Sequence, residues 1–303
     1  MRKIIFMGTP DYACEILSSL IDSGVCEVVA VYTQPDKPVG RKAILTPPPV
    51  KLLAQKHNID IYQPIKLRDA AVVDELLSIE CDMIVVAAYG QILPKEIIDY
   101  APCVNLHASI LPQYRGASPI QQSLLNSDKK SGITAMHMDE GLDSGAIIEI
   151  AELDIADDEM IGSLYDRLTT LACDLTIKVV RDWDLTSSIA QDESLVTHCV
   201  KIKKSDGEID FSDARDIYNR YRAFTPWPGI YLENALKIKE LELFDESSSG
   251  VAGEIISIDD NSIRVQCKKG SLTIHRVQAP SKQEVSIIDY LRGKRLAVAD
   301  ILA

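Results

Sequence analysis

The chain has 303 residues, 46% hydrophobic and 25% charged, an ordinary globular balance that excludes a disordered or fibrous design. Its length exceeds what a single core usually serves, so two unequal domains are expected. A net charge of -13 speaks against a general nucleic-acid binder, because phosphate binding is driven largely by Lys and Arg.

The chain opens with the short apolar run Lys3–Met7 and shows no secretory leader pattern. With no run approaching about 18 apolar residues anywhere, a cytoplasmic protein without a membrane partner is expected. The turn Gly8-Thr9-Pro10-Asp11 has one glycine where a dinucleotide-binding fold wants G-x-G-x-x-G, so a nicotinamide or flavin enzyme is not expected. Gly8 reads as a tight strand-to-helix turn or, alternatively, as backbone that approaches substrate. A helix follows over Asp11–Ser23 and ends near Gly24.

Apolar β-branched runs recur at Val28–Tyr32, Met83–Ala88 and Val104–Leu106, separated by helical periodicity. That alternation is the rhythm of a parallel sheet covered on both faces. After the second run, residues 29–56 carry Lys37, Arg41, Lys42, Lys51 and Lys56 against Asp36 alone, a basic patch on an acidic body. Pro47-Pro48-Pro49 hold the chain extended before a helix over Val50–His57.

The segment Cys103–Pro112 carries the first chemical signal. Side chains two apart on a strand share a face, so Asn105 and His107 point together at the strand's C-terminal end, where open α/β sheets place their ligand crevice. An amide beside an imidazole can donate hydrogen bonds to the oxyanion that develops on a carbonyl under attack. The plainer alternative is that Asn105 closes a turn and His107 is a satisfied core histidine. Helix Ala117–Leu125 and strand Ile133–Met138 lead to Gly141-Leu142-Asp143-Ser144-Gly145, where two glycines bracket an acid that could approach His107, raise its pKa and fix its orientation. The same pattern also occurs as a solvent turn. His137 and Asp139 lack any HxxxH or HxxEH partner, and the seven cysteines stand at least 12 residues apart, so no metal is expected. G-x-S-x-G is absent, which removes a serine nucleophile of that type.

A long helix over Glu159–Trp183 has apolar positions at Ile161, Leu164, Leu168, Leu171 and Leu175. Residues 184–208 are polar and irregular. A short helix at Ala214–Arg222 precedes Phe224-Thr225-Pro226-Trp227-Pro228-Gly229, and from Ile230 on the chain reads as short strands with turns at Ser247–Gly250, Asp259–Ser262 and Lys268–Gly270. A small β-barrel is the natural closure for such strands. Acidic excess disappears here: residues 1–200 hold 16 basic and 29 acidic side chains, residues 201–303 hold 16 of each, and residues 261–283 hold five basic side chains and no acid.

Val104-Asn105-Leu106-His107-Ala108-Ser109-Ile110-Leu111-Pro112 with Tyr114-Arg115-Gly116, then Gly-Leu-Asp-Ser-Gly at 141–145, resembles the signature of 10-formyltetrahydrofolate-dependent formyltransferases. Within that family Ile5–Pro10, Thr33–Arg41 and Ala223–Gly229 are similar to the members that act on methionyl-tRNA. The resemblance runs through essentially the whole chain. It implies a Rossmann-like catalytic domain at 1–183, a linker at 184–208 and an OB-like barrel at 209–303 that contacts the inner face of the tRNA. It also implies that Asn105, His107 and Asp143 are catalytic, that Ser109, Ile110, Leu111 and Pro112 line the folate site, and that Tyr89 and Gly90 lie near the pterin. Arg41 and Lys42 would meet the acceptor stem of initiator methionyl-tRNA. Where relatives continue with more basic residues, this chain runs into Ala43-Ile44-Leu45, which predicts a shallower salt dependence. The co-substrate expected is 10-formyltetrahydrofolate, the state expected a monomer. Rival readings are a formyltransferase for a sugar-nucleotide amine or glycinamide ribonucleotide, and an RNA-binding module without turnover.

Overall fold

The computed structural model describes residues 1–40 and 42–302. Its first elements alternate as the apolar runs predict: β1 (Arg2–Gly8), α1 (Asp11–Ser23), β2 (Cys26–Tyr32), a hairpin of β3 (Lys37–Val39) and β4 (Ile44–Thr46), α2 (Pro49–Lys56) and β5 (Asp60–Tyr62). They continue with α3 (Ala70–Leu77), β6 (Met83–Ala87), α4 (Lys95–Tyr100) and β7 (Cys103–His107). Strands β5, β2, β1, β6 and β7 lie parallel in that order. Ile4–Met7 and Met83–Ala87 are buried throughout, as strands covered on both faces must be.

α1 has the bounds expected from the sequence. It buries Tyr12, Ala13, Ile16, Leu17 and Leu20 along one stripe, and stops at Gly24, whose φ of 64° is left-handed and costs glycine little. α2 starts one residue early because Pro49 fits the first helical turn, where its missing N–H is not needed. The single glycine of the first turn has the packing explanation. A Cβ on Gly8 would stand 2.5 Å from the Ala13 Cβ and 3.0 Å from the Ala87 carbonyl oxygen, so the absent side chain lets α1 and β6 close on the strand.

After β8 (Arg115–Gly116) and α5 (Pro119–Leu125), β9 (Lys130–His137) joins β7 antiparallel and β10 (Ile147–Asp154) joins β9 antiparallel. The sheet is therefore mostly parallel, with two antiparallel pairings at one side. β10 has no counterpart in the sequence reading, since a half-buried outer strand lacks the continuous apolar run that marks β1 and β6. α6 (Ile161–Arg181) buries Leu164, Leu168 and Leu175 as expected, while Leu171 is half-buried. β11 (His198–Cys199) then pairs in parallel with β8.

The described chain forms two compact units. One comprises Met1–Pro119, Lys130–Asp154 and Tyr165–Cys199; the other Ile120–Lys129, Ile155–Leu164 and Val200–Ala303. Residues 184–199, which read as linker, thus pack with the first unit. In the second, α7 (Ala214–Phe224) is capped by Asp213, which accepts from the N–H groups of Arg215 and Asp216. β12 (Ile230–Tyr231), β13 (Lys237–Asp245), β14 (Ile255–Ile258), β15 (Ile263–Gln266), β16 (Ser271–Gln278) and β17 (Glu284–Ser286) form an antiparallel sheet, followed by α8 (Ile287–Lys294). Strand order is β12-β13-β16-β15-β14, with β17 on β16. Among the described residues this path is open at both ends, so the antiparallel strands are as expected but the closure of an OB-like barrel is not seen.

Candidate active site

β7 is held on both sides, Asn105 standing opposite Val86 of β6 and Met136 of β9, so the direction of its side chains is set by the sheet register. Asn105 and His107 converge on one atom. The Asn105 Nδ2 donates to Asp143 Oδ1 at 3.4 Å, and His107 Nδ1 lies 3.7 Å from the same oxygen. Asp143 Oδ2 accepts from the Gly116 N–H at 2.9 Å. One carboxylate oxygen is thereby fixed by backbone, and the other faces the amide and the imidazole. Both distances to Oδ1 are long for a hydrogen bond, so neither nitrogen is fully committed to it.

His107 is 6% exposed, and its other nitrogen settles its tautomer. Nε2 is 2.9 Å from the Tyr114 carbonyl oxygen, which has no proton to give, so Nε2 carries the hydrogen. Nδ1 consequently carries the lone pair, on the side of Asp143. The Tyr114 carbonyl is aimed by an unusual backbone, with φ of 61°, and accepts a second bond from the Cys199 thiol at 3.3 Å. Burial pushes that thiol above its ordinary pKa, so it stays a donor.

Asp143 sits on a loop with tight local demands. Its own φ is 51°, a left-handed conformation that Asp tolerates better than most residues. A Cβ on Gly145 would fall 1.9 Å from the His137 carbonyl oxygen, and one on Gly141 would fall 2.0 Å from Ser144 Oγ. Gly145 is thus sterically required, while at Gly141 the obstacle is a side-chain tip that can turn. Asp139, considered with His137 as a metal ligand, instead accepts from the Gly141 N–H at 2.9 Å and the Ser144 hydroxyl at 2.8 Å. His137 packs edge-on against Trp183 with ring centres 5.6 Å apart, and burial lowers its pKa. No group of three or more His, Cys, Asp or Glu residues among the described ones could hold a metal ion.

Several parts of the site had no individual signal in the sequence. Gln191, in the irregular segment after α6, donates to the carbonyl oxygens of Asp143 and Gly145, each at 2.8 Å. Its own oxygen accepts from Arg115 Nε at 3.0 Å, and Arg115 reaches Glu193 at 2.8 Å. Thr197 Oγ1 accepts from the Tyr114 N–H at 2.9 Å. Arg115 and Gly116 could have been found from the Tyr114-Arg115-Gly116 motif, whereas nothing in the pattern around Gln191 marks it.

The remaining expected residues divide. Ser109, Ile110, Leu111 and Pro112 follow β7 directly, and the loop is stapled by Thr134, whose hydroxyl donates to the Ser109 carbonyl at 2.6 Å and accepts from the Leu111 N–H at 3.1 Å. Ser109 and Leu111 are buried, so Ile110 and Pro112 are the half-exposed members. Tyr89 sends its ring into the apolar core with Tyr32, Leu93 and Ile97 and is 2% exposed. It can meet a ligand only through backbone beside the exposed Gly90, its carbonyl accepting from Thr9 Oγ1 at 3.0 Å and from Gln34 Nε2 at 3.2 Å. Lys42 is exposed in the turn before β4, next to exposed Ile44 and Leu45. Arg41 lies outside the described residues.

The formyl transferase family profile matches residues 1–180, and that of the formyl transferase C-terminal domain matches residues 201–295. The methionyl-tRNA formyltransferase of Sulfurimonas denitrificans is 58% identical over 301 residues, 99% of this chain and 100% of the relative. That of Campylobacter jejuni strain RM1221 is 49% identical over 305 residues and covers 100% of both chains. Among solved structures, the N-formyltransferase from Helicobacter canadensis in complex with folinic acid and dTDP-3-aminofucose superposes with a TM-score of 0.69 at 17% identity. The match covers 92% of this chain and 100% of that one, and speaks for the fold alone.

Proposed function

The chain belongs to the formyl transferase family, and on that footing we propose that Asn105, His107 and Asp143 carry the transfer of a formyl group from 10-formyltetrahydrofolate to the α-amino group of initiator methionyl-tRNA. The observation that carries the assignment is the convergence of two side-chain donors and one carboxylate on a single point, Asp143 Oδ1, at the end of the sheet. Relatives sharing about half or more of the sequence act on methionyl-tRNA by name, which supports this acceptor over a sugar amine.

10-Formyltetrahydrofolate supplies the formyl group on N10. A new bond forms between the amine nitrogen and the formyl carbon, the bond from that carbon to N10 breaks, and the proton lost by the amine ends on N10. Asn105 Nδ2 and protonated His107 Nδ1 hold the carbonyl oxygen as it becomes negative. His107 is kept in place for this by the Tyr114 carbonyl on Nε2. Asp143, fixed through Oδ2 by the Gly116 N–H, orients His107 and moves the proton from the amine towards N10. Prepositioning of these groups is worth more than their individual strength, because the reacting atoms must meet within about 3–3.5 Å.

Ser109, Ile110, Leu111 and Pro112, with the backbone of Tyr89 and Gly90, line the folate site in this reading. Arg41 and Lys42 meet the acceptor stem, residues 1–183 form the catalytic domain, and residues 209–303 contact the inner face of the tRNA. The enzyme works as a cytoplasmic monomer without a metal. A competition assay tests the acceptor: labelled formyl is offered together with initiator methionyl-tRNA, a dTDP-amino sugar and glycinamide ribonucleotide. Label is expected in the tRNA, with transfer reduced in Arg41→Ala. Label in either small amine instead would overturn the assignment.

A further inference from the structure

Gln191 lies 48 residues from Asp143 in sequence and is buried at its back. Arg115 has donors only, so the side-chain oxygen of Gln191 must face Arg115 Nε, 3.0 Å away. The amide orientation follows. Nε2 must then point at the loop, and both of its protons are used, one on the Asp143 carbonyl and one on the Gly145 carbonyl, each at 2.8 Å. Those two carbonyls straddle the left-handed turn that aims the Asp143 side chain. Arg115 is itself 5% exposed, held by the Glu193 carboxylate at 2.8 Å and by its N–H on the Thr197 carbonyl at 2.9 Å.

We propose that Gln191 is a positioning residue for formyl transfer, clamping the Asp143 loop through its backbone so that the carboxylate stays within reach of Asn105 and His107, with Arg115 and Glu193 setting the clamp. The inference rests on the assignment of Asp143 made above. Glutamine suits the task because it accepts on one side and donates twice on the other. Glutamate at this position keeps the size but places an acceptor against two carbonyls. A loop displaced by about 1 Å is enough to cost on the order of 100-fold in rate.

The test is a double-mutant cycle on the full chain with 10-formyltetrahydrofolate and methionyl-tRNA, comparing wild type, Gln191→Ala, Asp143→Asn and the double variant. Asn is chosen at 143 because it tolerates the left-handed backbone. Gln191→Ala is expected to lower kcat by about 10- to 100-fold, with KM for both substrates within about twofold. The double variant is expected to be no more than about threefold slower than Asp143→Asn, since a residue that acts only through Asp143 has little left to disturb. Gln191→Glu, which cannot donate, is expected to match Gln191→Ala and replaces it in the cycle if the alanine variant does not fold. Near-normal kcat in both Gln191 variants, or losses that multiply in the double variant, would overturn the inference while leaving Asp143 in place. Near-normal kcat in Asp143→Asn alone would remove the assignment of Asp143 and the clamp with it.

Discussion

The end of β7 and the loop at 139–145 bring side chains to the same point by opposite means. β7 is fixed between two strands, so Asn105 and His107 point where the two-residue period of the strand sends them, and neighbouring backbone does the rest. The loop has no ladder. Asp143 is aimed by a left-handed turn, a glycine at 145 without room for a Cβ, a bond from Gly116 and a clamp from Gln191. A strand thus delivers catalytic groups cheaply and robustly, whereas a loop delivers one only while several distant residues cooperate.

The largest effects are expected on the strand side, where each side chain acts directly. Asn105→Ala and His107→Ala are each expected to lower kcat by on the order of 100- to 1,000-fold without moving the melting temperature by more than a few degrees, measured by single-turnover formylation and thermal unfolding. A loss confined to KM would show that they bind substrate and do not promote transfer.

Intermediate effects are expected in the loop, and they should differ between its two glycines. In Gly145→Ala the new Cβ meets the His137 carbonyl, which is backbone and cannot turn away, so an expected destabilisation of about 1–3 kcal/mol accompanies a fall in kcat of roughly tenfold or more. In Gly141→Ala the Cβ meets Ser144 Oγ first, the tip of a side chain that can rotate, and kcat is expected to stay within a few fold of wild type. Equal losses in the two variants would break the distinction between a fixed and a yielding neighbour.

The smallest effect on the chemical step is expected in Thr134→Val, which removes the staple under Ser109–Pro112. A buried carbonyl and a buried N–H lose their shared partner, a cost of about 1–3 kcal/mol in denaturant unfolding. KM for 10-formyltetrahydrofolate is expected to rise while kcat changes little. A fall in kcat with unchanged KM would move this loop from folate binding to catalysis.

The same contrast explains which features were legible in the sequence. Strands β1, β2, β6 and β7 show as continuous apolar runs because both faces are covered, and α1 shows because its stripe ends at a glycine. Asn105 and His107 were readable from strand period, and Asp143 from its bracketing glycines. The direction of the Tyr89 ring was not legible, since a tyrosine after a strand reads alike whether its ring enters the core, as here, or a ligand cleft. Gln191 was hidden inside a stretch whose polarity suggested a linker, and the Tyr114 carbonyl and Gly116 N–H were hidden because backbone groups have no residue-type signature. Chain-distant hydrogen bonds hold the loop, and a pattern read along one dimension does not contain them.

In formyl transfer to methionyl-tRNA, Asn105, His107 and Asp143 are expected to act as one unit. Single-turnover transfer from 10-formyltetrahydrofolate by the triple variant Asn105→Ala/His107→Ala/Asp143→Asn, compared with each single variant, tests it most directly. A unit predicts grossly non-additive losses, with the triple variant within about tenfold of the slowest single one. Losses that multiply across the three positions, or a single variant that transfers formyl at the wild-type rate, would contradict it.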